Sequence, residues 1–145
     1  DNMINDAAKE GLKIYPSSGY RSVARQTTLF NNQVSRCKKQ GYKSSNAELM
    51  AATVVARPGT SEHHTGLAID FNGVKDDFYK TKEYSWLMSN AANYGFILRY
   101  PKNKTDVTKV IYEPWHFRYV GKVHAQKIVQ SSLCLEEYID SIMKK

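Results

Sequence analysis

Glycine and proline divide this sequence into short segments, and the order of those segments constrains the fold. Gly11, Gly41 and Gly95 each follow a stretch of helix-forming sequence, as expected for residues that close helices. Periodicity and capping residues predict helices over residues 2–10, 23–40, 45–55, 81–94, 122–130 and 135–143. Apolar runs predict a strand that leads into a turn at residues 16–19, and strands over residues 67–72, 96–100 and 115–120.

The predicted helices and strands follow one another without a regular strand–helix–strand repeat. This order favours an α+β fold in which helices pack around a small, mostly antiparallel sheet. Ser45 and Glu48 fit a capping box for the third helix, and Thr81 fits the cap of the fourth. We expect loops at residues 57–60 and 101–108.

The length of 145 residues, 41% of them hydrophobic, suffices for one core, so we expect residues 1–145 to form a single domain. No run of about 18 apolar residues occurs, which predicts no membrane span in this chain. The sequence begins with Asp1 rather than Met, which is compatible with an N-terminal anchor that precedes it.

The net charge of +7 raises the question of an anionic partner. The lysines are scattered rather than arranged as a basic stripe with interleaved aromatic residues, so we expect no nucleic-acid partner. An anionic matrix such as a bacterial cell wall suits the charge equally well. Cys37 and Cys134 lack metal-binding spacing, and since each lies in an amphipathic segment we expect two buried thiols rather than a disulfide.

Residues 61–70 read SEHHTGLAID and place an aspartate at the end of an apolar run. Side chains alternate across a strand, so Leu67, Ile69 and Phe71 are predicted to share the core face. Asp70 then projects from the opposite face, where it can enter a cleft without becoming an unpaired charge in the core.

Residues 112–121 read YEPWHFRYVG and form the second polar cluster. Trp115, Phe117 and Tyr119 alternate with His116, which therefore points away from the aromatic set. Glu113 would lie on the face opposite His116 in a regular strand. Pro114 between them removes an N–H and bends the chain, so both side chains can turn into one cleft.

These residue types are those of a catalytic zinc site. Zinc binds histidine nitrogen and carboxylate oxygen, and catalytic sites keep three protein ligands and one open position. Asp70, His116 and one of the adjacent pair His63 and His64 supply such a set, and chemistry alone leaves the choice within the pair open. Glu113 would be a general base beside the bound water. The remaining histidine, His124, lies in a predicted helix without a neighbouring ligand and is expected at the surface or in helix packing.

Three motifs together resemble the VanY-type D-alanyl-D-alanine carboxypeptidases, within the lysostaphin/D-Ala-D-Ala-metallopeptidase/hedgehog group. They are SGYRS at residues 18–22, the Ser-x-His-x-x-Gly-x-Ala-x-Asp pattern at 61–70, and Glu-x-x-His at 113–116, in the order of the family. The resemblance implies one Zn²⁺ ion in a cleft on the sheet, with His63, Asp70 and His116 as ligands and Glu113 as catalytic base.

The resemblance also implies a substrate and a location. Arg21 would be an electrophilic or substrate-binding arginine, and Gln26 and Ser61 would contact the substrate. The expected activity is removal of the C-terminal D-alanine from peptidoglycan stem peptides, outside the cytoplasm and facing the wall, with a role in antibiotic resistance compatible with the family.

Three alternatives remain open from the sequence. An L,D-carboxypeptidase that trims tetrapeptide stems would share the same motifs, since the difference lies in the pocket walls. A phage-type endopeptidase on the same scaffold is a further possible enzyme. A non-catalytic wall-binding module would tolerate loss of Glu113, whereas an enzyme would not.

Overall fold

The computed structural model describes residues 2–144; Asp1 and Lys145 lie outside the described part. The helices in that part are α1 (Asn2–Lys9), α2 (Val23–Lys39), α3 (Ser44–Ala52), α4 (Lys82–Asn90), α5 (Thr105–Thr108), α6 (Lys122–Ser131) and α7 (Leu135–Met143). The strands are β1 (Pro16–Ser18), β2 (Ala68–Phe71), β3 (Phe96–Leu98) and β4 (His116–Tyr119). Single turns of 3-10 helix occur at Glu62–Thr65, Phe78–Lys80 and Ala91–Tyr94.

The described strands form one antiparallel sheet in the order β1-β2-β4-β3. The two central strands, β2 and β4, place Asp70 directly opposite His116. The α+β fold with a small antiparallel sheet is therefore confirmed. None of the helices within residues 2–144 combines the length and the apolar character needed to cross a bilayer.

The main core covers one face of the central strands. The rings of Phe71 on β2 and Phe117 on β4 lie 5.6 Å apart and pack against Leu87 of α4. Each of these side chains is almost fully buried, and burial of one such side chain contributes about 1.5–3 kcal/mol. The same cluster contains Met3, Ala7, Ile14, Phe78, Trp86, Ala91 and Trp115.

A second apolar cluster joins α2 to α3. Phe30 and Cys37 of α2 pack against Ala47 and Ala51 of α3. Cys37 and Cys134 are both free and buried, as expected. The helix pair matters for function because residues from both helices form one wall of the cavity described below.

Several local predictions are confirmed in detail. Thr81 caps α4 by accepting from the Tyr84 amide, as predicted. Helix α2 begins at Val23, as predicted, and Ser22 caps it by accepting from the Arg25 amide. Gly95 ends the following 3-10 turn at φ 92°, a conformation that glycine adopts without strain. Helix α7 has the predicted bounds.

The predicted capping box at Ser45 and Glu48 is wrong. Helix α3 begins at Ser44, and its cap is Lys43, which makes no side-chain capping hydrogen bond. Ser45 already lies inside the helix, so its hydroxyl is not at the capping position.

The edges of the predicted strands also differ from those observed. Strand β1 falls on Pro16–Ser18, which we predicted as a turn. Proline is tolerated there because β1 lies at the edge of the sheet. Leu67 is 41% exposed rather than in the core, because β2 begins only at Ala68. The polar segment at residues 101–108 contains the short helix α5.

Candidate active site

One cavity of about 390 Å³ brings together the residues that the sequence motifs singled out. It lies between the central strands and the α2–α3 pair. The motif residues that line it are Arg21, Gln26, Ser61, His63, Asp70, Glu113 and His116.

The register of the sheet positions two of these residues. Because Asp70 and His116 are cross-strand partners, the Asp70 Oδ1 atom lies 3.0 Å from Nδ1 of His116. His63 comes from the 3-10 turn before β2, and its Nε2 lies 3.3 Å from the same oxygen. All three side chains are buried, with exposed fractions of 3–4%.

Hydrogen bonds on the far side of each ring assign the imidazole tautomers. Nδ1 of His63 lies 2.7 Å from the Gly19 carbonyl oxygen, which can only accept, so Nδ1 carries the proton. Nε2 of His116 lies 2.7 Å from the Glu62 carboxylate and donates to it. The lone pairs of His63 Nε2 and His116 Nδ1 therefore both face Asp70.

This arrangement leaves three electron-pair donors facing one another. Asp70 Oδ1 has no hydrogen-bond donor among the described residues, although it is buried. A buried carboxylate oxygen without a donor is costly unless a cation completes it. One donor atom from each of His63, Asp70 and His116 lies within 4.8 Å of the others, a spacing that can hold a metal ion. Two imidazole nitrogens and one carboxylate oxygen are the donor set of a zinc site with an open position.

The carboxylates around His116 favour a positive charge at this ring. Burial alone would lower the pKa of His116, but its close contacts with the carboxylates of Asp70 and Glu62 and the charge of Glu113 outweigh burial and raise the pKa. A metal cation bound at Nδ1 satisfies the same electrostatic demand as a proton. The negative charge around this ring therefore favours a cation at this position.

Glu113 lies beside the three donors without being one of them. Its Oε1 is 3.5 Å from Nδ1 of His116. The turn that brings it there is held by the His116 amide, which donates to the Glu113 carbonyl across Pro114, and by the Glu113 amide, which donates to Tyr100. Burial raises the pKa of Glu113 to about 8, with His116 opposing and Asp70 adding to the rise. A carboxyl group tuned upwards in this way is suited to general acid–base chemistry.

Arg21 approaches from the segment between β1 and α2. Its Nη2 atom lies 3.5 Å from Asp70 Oδ2 and donates to the Ser18 hydroxyl at 2.9 Å, while Nη1 donates to the amide oxygen of Gln26 at 2.8 Å. The guanidinium is thus held beside the donor cluster of His63, Asp70 and His116. A fixed arginine at this distance can stabilise a developing oxyanion or bind a carboxylate.

Gln26 and Ser61 line the cavity and also support the site internally. Gln26 is only 1% exposed; its amide oxygen accepts from Arg21, and its amide nitrogen donates to the Ala56 carbonyl at 2.7 Å. Ser61 accepts from the His63 amide and so caps the 3-10 turn that carries this ligand candidate. Both residues therefore hold neighbouring site residues in place.

The structure separates the two adjacent histidines. His64 turns away from the cluster: its Nδ1 lies 2.6 Å from the Arg21 carbonyl oxygen, and its Nε2 accepts from the Gly59 amide at 3.2 Å. His63 is the member of the pair that joins Asp70 and His116. His124 is exposed on α6, where its Nδ1 contacts the Tyr138 hydroxyl, as expected for helix packing.

Glu62 is a site residue that the sequence reasoning missed. Its Oε1 accepts from His116, and its Oε2 accepts from Arg99 and Arg118, both at 2.9 Å. Burial opposes the charge of Glu62, but the contacts with His116 and Arg99 outweigh it and hold the pKa of this carboxyl at about 2. Arg118 could have indicated such a residue from the sequence. It shares a strand face with His116, and a partly buried arginine needs a carboxylate partner.

Known proteins share both the sequence and the fold. The sequence model of the family described as "VanY: D-alanyl-D-alanine carboxypeptidase" matches residues 1–122. A D-alanyl-D-alanine carboxypeptidase of Enterococcus faecalis (strain ATCC 700802 / V583) is 45% identical over 142 residues, covering 97% of this chain and 52% of the relative. The chain spans about half the length of these curated relatives, 52% of the Enterococcus faecalis protein and 51% of a putative carboxypeptidase, YodJ, of Bacillus subtilis (strain 168).

Solved structures superpose over nearly the whole chain. VanYB in complex with D-alanine-D-alanine is 43% identical with a TM-score of 0.87, covering 96% of this chain and 77% of that one. The VanY D,D-pentapeptidase from a VanB-type resistance cassette, in complex with Zn(II), is 44% identical with a TM-score of 0.85, covering 95% of this chain and 78% of that one. The LD-carboxypeptidase LdcB is 45% identical with a TM-score of 0.83, covering 96% of this chain and 64% of that one. The fold, the donor cluster and the sequence similarity agree: this chain belongs to the VanY family of D-alanyl-D-alanine carboxypeptidases.

Proposed function

We propose that this chain is a zinc-dependent D,D-carboxypeptidase that removes the C-terminal D-alanine from peptidoglycan stem peptides. The observation that carries the proposal is the convergence of His63, Asp70 and His116 on one buried point, with Glu113 beside it. Residues 1–145 would form the catalytic domain of a protein that acts outside the cytoplasm, facing the wall. The relatives' names and the bound D-alanine-D-alanine of VanYB support this substrate.

One Zn²⁺ ion would be held by His63 Nε2, Asp70 Oδ1 and His116 Nδ1. Bound there, zinc supplies Lewis-acid chemistry: it polarises a carbonyl group and lowers the pKa of water to about 7. The Zn(II) complex of a VanY relative supports the choice of metal.

The side chains of this chain would divide the remaining work. Glu113 takes a proton from the water that attacks the scissile carbonyl carbon, and donates a proton to the leaving amine as the C–N bond breaks. Arg21 places its positive charge where the carbonyl oxygen becomes negative. Ser61, Gln26 and Arg21 are the groups proposed to read the terminal carboxylate, since all three line the cavity.

A second candidate is L,D-carboxypeptidase activity on tetrapeptide stems. The observation that favours it is the similarity to LdcB, which is as close in sequence as the D,D-enzymes are. Both reactions hydrolyse a peptide bond to a C-terminal D-alanine, so they need the same catalytic groups. The choice therefore depends on how the cavity walls fit the residue before the scissile bond.

The test compares two synthetic stem peptides incubated with zinc-loaded protein and analysed by mass spectrometry. Loss of one alanine from a pentapeptide ending in D-Ala-D-Ala, with the tetrapeptide intact, supports the D,D-activity. Loss from the tetrapeptide alone supports the L,D-activity. Glu113→Gln is the matched control, because it keeps the shape of the side chain while removing the base; it should retain zinc and lose cleavage. Cleavage of neither peptide by a zinc-bound chain would overturn both carboxypeptidase assignments and favour an endopeptidase or a wall-binding module.

A further inference from the structure

A continuous chain of charged contacts runs from His116 to the C-terminal helix. Glu62 Oε1 accepts from His116 Nε2 at 2.7 Å, and Glu62 Oε2 accepts from Arg99 Nε at 2.9 Å. The opposite edge of the Arg99 guanidinium donates twice to Glu136 at the start of α7, at 2.7 and 3.1 Å. One planar side chain therefore contacts both the partner of a candidate metal ligand and the last helix.

The geometry of Arg99 makes the two contacts interdependent. Its side chain is 12% exposed and that of Glu62 is 10% exposed, so water cannot easily take the place of either partner in the contact between them. The guanidinium is rigid and planar, and the bidentate contact with Glu136 fixes the orientation in which Nε reaches Glu62. Rotation of Arg99 away from Glu136 would also move its bond to Glu62.

The start of α7 is fixed to the same part of the chain by a second ion pair. Lys104, six residues beyond β3, lies 2.9 Å from Glu137. Glu137 also accepts from the Cys134 amide at 2.9 Å and so caps α7. This second ion pair holds the helix but does not touch Glu62, which makes Glu137 a matched comparison for Glu136.

We propose that α7 positions the metal ligand His116 through Glu136, Arg99 and Glu62. The inference rests on the proposed zinc site. Glu62 keeps the proton on Nε2 of His116, which leaves the Nδ1 lone pair available at the cluster. Arg99 holds Glu62 in place together with Arg118. Helix α7 lies outside residues 1–122, the part that the family model matches, so this contact adds to what the family motifs describe.

The effect should appear in metal affinity. Partners of this kind fix the tautomer and orientation of a ligating histidine, and their loss costs about 10–100-fold in metal affinity or activity. Glu62→Ala should weaken zinc binding by an amount in that range. Glu136 is two contacts further from His116 than Glu62 is, so we expect a smaller loss of zinc affinity for Glu136→Gln, of about tenfold.

The experiment measures zinc dissociation constants of the full chain by competition with a chromophoric chelator, without substrate. Glu136→Gln is compared with Glu137→Gln, which removes an ion pair at the same helix end. The expected result is a clear loss of affinity for Glu136→Gln and a smaller loss or none for Glu137→Gln. Equal losses of zinc affinity in the two variants would overturn the inference. Zinc affinity would then depend on the general attachment of α7 and not on the specific contact of Glu136 with Arg99.

Two further readouts separate positioning from general destabilisation. The visible spectrum of the Co²⁺-substituted chain reports the ligand field, and it should change in Glu62→Gln and Glu136→Gln but not in Glu137→Gln. Linkage also requires that zinc slows amide exchange in Leu135–Met143, because a helix that aids zinc binding must be stabilised by it. Unchanged affinity in Glu62→Ala, with the variant folded by circular dichroism, would overturn the inference.

The outcome is independent of the peptide assay. If zinc affinity depends on Glu62 and Glu136 but no stem peptide is cut, the inference stands and the proposed reaction fails. If peptides are cut and neither variant changes zinc affinity, only the inference fails. A wild-type chain that binds no zinc would overturn both.

Discussion

His64 donates from Nδ1 to the backbone carbonyl oxygen of Arg21 across 2.6 Å. The adjacent residue, His63, uses its own carbonyl oxygen to accept from the Arg21 amide at 3.0 Å. The two histidines thus fix the same arginine from both sides of its backbone, while only His63 also faces Asp70 and His116 in the proposed metal site. This division of roles gives the first prediction.

His64→Ala should lower kcat/KM for the cleaved stem peptide by about tenfold while zinc affinity stays close to that of the wild type. The reason is that Arg21 loses one of its backbone anchors. This hydrogen bond is partly buried, and leaving one partner of a buried hydrogen bond unpaired costs about 1–3 kcal/mol, so a loss near the lower end of that range is expected. Steady-state kinetics and chelator competition would measure the two effects. His63→Ala should instead abolish zinc binding, and His124→Ala, on the exposed face of α6, should change neither quantity. Loss of zinc in His64→Ala would contradict the prediction.

Arg21→Lys should lower kcat/KM by about 100-fold, although the positive charge is retained. A lysine has a single charged head and cannot contact Gln26, Ser18 and Asp70 in the planar geometry of the guanidinium. Removal of one oxyanion-stabilising donor costs about 100–1,000-fold in kcat. Arg25→Lys is the control and should retain activity, because Arg25 lies four residues after Arg21 and is exposed on α2. Equal activity in the two variants would show that Arg21 acts only as a point charge.

The acid stability of the protein should depend in part on Glu137. The hydrogen bond from the Cys134 amide and the contact with Lys104 lower the pKa of Glu137 from 4.5 to about 2. Because the folded-state pKa is depressed, the stabilisation is complete above the unfolded-state pKa and is lost as the pH falls from about 4.5 to about 2.

Glu137→Gln should therefore be less stable than the wild type near neutral pH, with the difference shrinking as the pH drops below about 4.5. Urea unfolding at a series of pH values would measure this difference. A gap that stays constant down to pH of about 2 would contradict the assignment of the shift to the folded state. Comparison with the wild type at each pH removes the contribution of the other carboxylates.

Gly95→Ala should destabilise the fold by about 2–4 kcal/mol, the sum of a left-handed backbone and an overpacked site. A Cβ atom at Gly95 would lie 2.7 Å from a ring atom of Tyr119 and 3.2 Å from the backbone of Gly121. The tyrosine ring can move, but the backbone of Gly121 cannot do so easily.

Gly41→Ala is the control for this substitution. Gly41 also has a positive φ, of 102°, but a Cβ there would meet nothing within 4 Å. It should therefore show only the conformational cost, about 1 kcal/mol. Thermal and urea unfolding of both variants would measure the difference, and similar values for the two would contradict the close contact at Gly95.

The candidate site was largely predictable because its parts lie in short motifs. Asp70 and His116 are each on a strand whose alternation can be read from the sequence, and Pro114 signals the bend that turns Glu113 towards His116. The choice of His63 over His64 was not predictable from ligand chemistry, since adjacent residues in a 3-10 turn point in different directions only once that turn is known.

Contacts between distant residues were beyond sequence reasoning. Arg99 lies 37 residues from Glu62 and 37 residues from Glu136, so neither contact leaves a local pattern. The same holds for β1, whose pairing with β2 turns the segment that begins at Pro16 from an expected turn into an edge strand. Leu67 was misplaced because it lies at the end of the sheet, one residue before β2 begins, where its side chain is not covered by the core.

The pairing of Asp70 with His116 also has a consequence for folding. A slip of one residue between β2 and β4 would turn the imidazole to the opposite face of the sheet and bring Phe117 into its place. Two of the proposed ligands therefore meet only in the native register, and they are 46 positions apart in the chain. A metal ion would therefore bind tightly only to chains in which β2 and β4 have the native register. Its binding would stabilise that register relative to a slipped one.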